Sequence, residues 1–149
     1  MLAYWLAELG ETNIVGLEKS TIIPSDIAST AHASDFVYNT THDKLGCWTT
    51  AFSRKFYEDN GFFLKKGGLE ICRKGDEERW EELKRKVASG KAFGTNVRLI
   101  SAAEAVEKLP LLEEDSMIGA MWDPDAGLVV PRSQAVSYTH LTLPTTLGV

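Results

Sequence analysis

Apolar and polar positions follow two periods along this chain, and the switches between them mark the elements. Met1-Leu2-Ala3-Tyr4-Trp5-Leu6-Ala7-Glu8-Leu9-Gly10 reads as a helix closed by a C-terminal glycine. The apolar run Ile14-Val15-Gly16-Leu17-Glu18 follows as a short buried strand ending in a carboxylate. Lys19 to Asn39 is irregular, with Pro24 and a density of Ser, Thr, Ala and Asp that suits a loop lying against other structure. From Asp43 to Asn60, Leu45, Trp48, Phe52 and Phe56 recur at three and four residues, so they are expected to form the buried face of a helix ending at Asn60-Gly61. Phe62-Phe63-Leu64 and Leu69-Glu70-Ile71-Cys72 are two strands flanking Lys65-Lys66-Gly67-Gly68, whose glycines suit a turn or a close backbone approach.

The second half is signalled more strongly. Asp76 to Val87 carries acids in its first turn and cations in its last, with Trp80, Leu83 and Val87 on one face, and its charges read as a solvated surface. Val97-Arg98-Leu99-Ile100 predicts a strand feeding Ser101-Ala102-Ala103-Glu104, a capping box for a short helix that stops before Pro110. Met117-Ile118-Gly119-Ala120-Met121-Trp122 is a further strand and Asp123-Pro124-Asp125-Ala126-Gly127 a turn. There is no internal repeat, and no linker separates independent domains.

The opening helix, strand and terminal acid have the order of the second half of a dinucleotide-binding βαβ unit, in which such an acid holds the adenosine ribose hydroxyls. The strand and GxGxxG turn of a first half are not in the sequence, so the chain is expected to be a fragment of a longer cofactor enzyme. Val136 to Thr145 corresponds to the translation of a transposon-derived adapter used in DNA library preparation. Thr146 to Val149 fit its index-dependent residues and closing valine. Residues 136–149 are therefore expected to be adapter-encoded and are set aside in reasoning about the fold.

Charge and cysteines narrow the function classes. With 16 Lys and Arg against 21 Asp and Glu the net charge is -5, and no basic stripe marks a nucleic-acid surface. No apolar run approaches the ~18 residues of a membrane span. Cys47 and Cys72 stand far apart without a Cys/His cluster, which argues against structural zinc and suits a reducing compartment. His42 begins a helix and His140 lies in the set-aside tail, so neither receives a role. Trp5, Trp48, Trp80 and Trp122 are read as packing residues. Asp123 and Asp125 flank Pro124 ahead of Gly127, a pattern that forms turns more often than acid-base pairs.

Four segments in series resemble a known family: Ala28-Ser29-Thr30-Ala31-His32-Ala33, Gly67-Gly68-Leu69-Glu70, Leu109-Pro110-Leu111-Leu112 and Asp123-Pro124-Asp125-Ala126-Gly127. In this order and spacing they are similar to the N-terminal part of dimethylglycine and sarcosine dehydrogenases and oxidases, FAD-dependent amine oxidoreductases of the D-amino-acid-oxidase superfamily. The resemblance covers Leu2 to about Ala135. It implies an α/β fold, with a partial FAD-binding Rossmann-like region over 1–60, part of an α+β substrate-side region over 61–130, and a return toward the FAD domain at 131–135. It implies cofactor-binding roles for Glu18, Lys19, Ser29, Thr30, His32 and Ala33, with His32 at the position where the family attaches the flavin covalently. A neutral imidazole has the ring-nitrogen lone pair such a bond needs. Ala28 stands where the family has glycine.

The implied reaction is oxidation of an N-methyl amine such as dimethylglycine or sarcosine by hydride transfer to FAD. The iminium product is then hydrolysed or captured by tetrahydrofolate in a C-terminal region. Catalytic residues, the electron acceptor and the substrate within this class stay open. The implied location is the cytoplasm, or the mitochondrial matrix in a eukaryote. Two other readings stand beside it: an amino-acid or glycerol-phosphate oxidoreductase of the superfamily with non-covalent FAD, and a non-catalytic regulatory relative.

Overall fold

The computed structural model describes residues 2–17 and 33–129. The chain packs as two compact units, residues 1–35 with 130–149, and residues 36–129. This division falls after residue 35, inside the region 1–60 that the sequence assigns to the cofactor side.

In the first unit, helix α1 (Leu2–Glu8) ends as its glycine predicts. Gly10 has φ 94, its N–H donates to Ala7 O at 2.9 Å, and Glu11 N–H donates to Leu6 O at 2.9 Å. That paired closure satisfies two carbonyls the last turn would otherwise leave open, and its left-handed residue is one glycine adopts without a Cβ clash. The expected strand after it does not form: residues 11–17 carry no ladder, and Val15 and Leu17 are exposed. An apolar run becomes a strand only where a neighbour takes its N–H and C=O groups, and no described segment pairs with this one.

The second unit holds two three-stranded antiparallel sheets. In the smaller, β6 (Gly127–Val129) lies between β1 (Phe36–Val37) and β2 (Phe63–Lys65). In the larger, β5 (Met117–Asp123) lies between β3 (Gly68–Arg73) and β4 (Arg98–Ser101). Helix α2 (Lys44–Asp59) packs on β2, α3 (Glu77–Ala92) on β4 and β5, and α4 (Ala102–Lys108) on β4 and β5.

The larger sheet is covered on two faces, which explains its dense apolar pattern. Cys72, Leu83, Val87, Val97 and Met121 pack together, with Trp80, Leu99 and Ile118 at the margin. Ile100, Ala105, Met117 and Ala120 form the other cluster, joined by Leu69, Ile71, Leu112 and Trp122. A bulge explains why Met117 and Ile118 fall on faces opposite to those that alternation from Ala120 would give. The register runs Cys72 to Gly119 and then Arg73 to Met117, so Ile118 is the extra residue and the side-chain parity reverses across it. Burying a side chain such as Leu83 or Met121 contributes about 1.5–3 kcal/mol.

The starts of α2, α3 and α4 are capped by short-range bonds, and the box expected at Ser101 is among them. Asp43 caps α2 through Gly46 N–H at 2.7 Å and Asp76 caps α3 through Arg79 N–H at 3.1 Å. Ser101 and Glu104 form the reciprocal box at the start of α4. One expectation needs correction. Of the four residues expected on the buried face of α2, only Phe56 is buried; Leu45, Trp48 and Phe52 are exposed, and Cys47 takes the inward position instead. Periodicity shows that residues share a face, but not which way that face is turned. Of the two readings of the glycines between the next strands, a turn or a close approach, the close approach holds, and β2 and β3 belong to different sheets. Gly67 has φ 76, its N–H donates to Ala126 O, and a Cβ there would overlap the Trp122 ring, so the glycine serves both conformation and close approach.

Candidate functional site

The residues to which the sequence gives cofactor roles fall mostly outside the described part: Glu18, Lys19, Ser29, Thr30 and His32 all do. Ala33 is described and exposed. From it the chain runs without regular structure to Asp35, whose φ of 61 is left-handed, a conformation that aspartate tolerates better than most residues. The small Ala33 side chain leaves its backbone open to close approach, which is as far as the described residues test a fit to FAD.

The second unit is organised around Asp123 at the end of β5, 1% exposed. Its Oδ2 accepts the Asn39 N–H at 3.0 Å and lies 3.4 Å from the Thr40 hydroxyl, and its Oδ1 accepts the Asp125 N–H at 3.1 Å. Thr40 Oγ1 is also 3.2 Å from Thr95 Oγ1. Thr40 has one proton, so when it donates to Asp123 the Thr95 hydroxyl donates to it in turn. One carboxylate thus ties the segment before α2 to the turn after β5 and, through Thr40, to Thr95.

Asp125 accepts from Lys65 Nζ and, at 2.8 Å, from Asn96 Nδ2. Burial, the largest single influence, pushes its carboxyl up. The bonds from Lys65 and Asn96 and the charges of Lys65 and Arg54 together outweigh it and hold the group below the ordinary aspartate value. Both acids of the turn are therefore occupied as structural acceptors, as their sequence setting suggests.

Glu70, in the Gly-Gly-Leu-Glu segment, is a second centre. It points from β3 toward α3, where Arg79 Nη2 and Lys86 Nζ, the latter at 2.7 Å, both donate to it. Arg79 also holds Glu82, and the hydrogen bond from Arg79 is the main reason the Glu82 carboxyl is lowered. His42 Nε2 lies 3.3 Å from Glu82. The α3 charges are thus partly a half-buried lattice and not only the solvated face expected. An acid on the same strand face as buried Cys72 was the available signal for it. Burial raises the Cys72 thiol above its usual value, which leaves it inert near neutral pH.

Two concavities lie in this unit. A cleft of about 320 Å³ is lined by Phe36, Val37, Tyr38, Thr41, Thr49, Thr50, Ser53 and Tyr57. A cavity of about 210 Å³ includes Asn39, Lys44, Trp48, Arg54, Phe93 and Asp125 in its lining. Sequence reasoning assigned none of these residues a ligand role, apart from considering Asp125 as an acid. No cluster among the described residues could hold a metal ion, and no described helix is long and apolar enough to cross a membrane.

Comparison with known proteins sets this geometry in a family. A mitochondrial sarcosine dehydrogenase of Mus musculus is 26% identical over 145 residues, covering 92% of this chain and 15% of that protein. Its Homo sapiens counterpart is 27% identical over 136 residues, covering 86% and 14%. The chain thus spans about one-seventh of the length of these curated relatives. Among solved structures, L-proline dehydrogenase from P. horikoshii superposes with a TM-score of 0.74 at 25% identity, over 93% of this chain and 37% of that one. Glycine oxidase from Geobacillus kaustophilus gives 0.62 at 20% identity, over 78% and 35%, a likeness of fold alone. The family model described as FAD dependent oxidoreductase matches residues 1–142, and so extends into the segment beginning at Val136. The sequential motifs, the α/β architecture and this match lead to one assignment: the chain belongs to the FAD-dependent oxidoreductase family.

Proposed function

We propose that this chain is part of an enzyme that oxidises N-methyl amines of the sarcosine and dimethylglycine type. The observation that carries the proposal is the likeness to sarcosine dehydrogenases, which runs along 92% of the chain, and the Ser29-Thr30-Ala31-His32-Ala33 segment of the sequence supports the same reading. FAD, when bound, supplies the hydride acceptor, and the protein supplies binding and orientation. In this reading Glu18, with Lys19 beside it, holds the adenosine ribose. Ser29, Thr30 and Ala33 line the flavin and His32 carries the covalent link. Tetrahydrofolate, a further partner in this reading, belongs to chain outside this sequence, and the proposed location is the cytoplasm, or the mitochondrial matrix in a eukaryote, the relatives being named mitochondrial.

The test is made on the full-length protein carrying this sequence. Acid precipitation of wild type should leave yellow flavin in the pellet, while His32→Ala should release it to the supernatant with FAD still bound before denaturation. Wild-type flavin in the supernatant would overturn the covalent assignment. One observation favours a second reading, an amino-acid oxidoreductase with non-covalent FAD: the superposition on L-proline dehydrogenase covers 93% of the chain.

A further inference from the structure

The cavity between α2 and the turn after α3 contains polar groups that the fold does not use. Asn39 is 4% exposed, and neither its amide nitrogen nor its amide oxygen has a hydrogen-bond partner. Buried amides are nearly always paired, because an unpaired one loses its water and receives nothing in return. The structural task at this position, the N–H bond to Asp123, belongs to the backbone and would be met by an apolar residue just as well. Arg54 presents a second such group: its Nη1 reaches Glu58 at 2.9 Å, while its buried Nε has no partner.

The charge of the cavity has a definite sign. Its acid, Asp125, is already neutralised by Lys65 and bonded by Asn96. Lys44, at the start of α2, is exposed and forms no ion pair among the described residues. The remaining lining joins two exposed rings, Trp48 and Phe93, to the small residues Cys47, Ala51, Gly94 and Thr95, and Trp48 rests on Phe52 with ring centroids 5.7 Å apart. A cavity of about 210 Å³ with two aromatic rings in its wall, an exposed cation, and an Asn39 amide and Arg54 Nε that lack partners suits a small, flat, singly anionic molecule.

We propose that this cavity is a binding site for a small aryl carboxylate. Its carboxylate is held by Lys44 and Arg54, its ring lies against Trp48 and Phe93, and the Asn39 amide forms the polar floor. The atoms of that amide are closed to solvent, so an occupant must part the lining slightly to reach them. Their resonances are therefore sensitive reporters of occupancy. The site is distinct from the residues assigned to FAD and does not depend on the identity of the oxidised amine.

The experiment titrates the ¹⁵N-labelled chain with phenylacetate, and separately with phenethylamine and acetate, following the Asn39 side-chain NH₂ and the Trp48 indole N–H. Phenylacetate should give saturable shifts at both. Acetate should bind more weakly for want of a ring, and phenethylamine, with the same ring and the opposite charge, should give no saturable shift. Lys44→Met, at an exposed position whose loss leaves the core intact, should weaken phenylacetate by about fivefold, the value of one exposed ion pair. Equal response to phenylacetate and phenethylamine would overturn the proposal. So would an unchanged affinity in Lys44→Met with an otherwise native spectrum, or shifts confined to residues outside the cavity.

Discussion

Replacing Asp123 by asparagine separates a structural carboxylate from a catalytic one. The side chain is buried and faces three donors: the Asn39 N–H, the Thr40 hydroxyl and the Asp125 N–H. Asparagine has the same shape but one oxygen, so either orientation turns its NH₂ group toward a backbone N–H. Keeping the oxygen on Asn39 and Thr40 costs less, because Asp125 N–H lies in the half-buried turn and can find water. That arrangement forfeits one hydrogen bond and weakens two that were charge-assisted, a loss of about 2–3 kcal/mol. Urea unfolding should show this as a lower midpoint at unchanged slope. Hydrogen exchange at Asn39 N–H should accelerate if its bond to Asp123 governs its protection. A loss below about 0.5 kcal/mol would refute the reasoning. If activity of the full-length enzyme then also disappeared, Asp123 would have to be read as a reacting group.

Other substitutions test neighbouring statements. Asn39→Leu should raise stability of the ligand-free chain by about 1 kcal/mol or more, because it removes two buried unpaired groups while the backbone bond to Asp123 remains; a lower melting temperature would contradict this. Lys65→Met should raise the Asp125 carboxyl toward the ordinary aspartate value, seen by NMR titration. Because that group is lowered in the folded state, the stability it contributes is present above the unfolded aspartate pKa. It is lost as pH falls through the folded value, so the mutant should differ from wild type at neutral pH and converge with it in acid; a difference that persists in acid would contradict it. Cys72 should resist thiol reagents at pH 7 in the folded state and react on unfolding, and rapid labelling of the native protein would show that burial does not control it.

Helix caps and turns were the most legible features, because their chemistry is local. The Ser101–Glu104 box and the Asp125 N–H bond to Asp123 inside the Asp123–Gly127 turn each close within three residues, whereas the bonds of Asp123 to Asn39 and Thr40 join distant segments. What failed depended on neighbours distant in sequence. Leu45, Trp48 and Phe52 share a helical face, but only tertiary packing decides that Cys47 and Phe56 turn inward. Glu70 shares a strand face with buried Cys72, but only tertiary packing supplies Arg79 and Lys86 of α3 as its partners. Ile14 to Leu17 carries the composition of a strand without a described partner to pair with it. Of the candidate FAD residues, the structure reaches Ala33 alone, so their assignment rests on the order of the motifs and on family membership.

The central claim is that the complete enzyme oxidises an N-methyl amine on FAD, and anaerobic reduction of the flavin tests it most directly. The full-length protein is mixed without oxygen with sarcosine, dimethylglycine, L-proline or glycine, and the visible flavin absorbance is followed. Bleaching by sarcosine or dimethylglycine at concentrations where proline and glycine leave the flavin oxidised is the result this account predicts. Bleaching by proline or glycine with the N-methyl amines inert would contradict it.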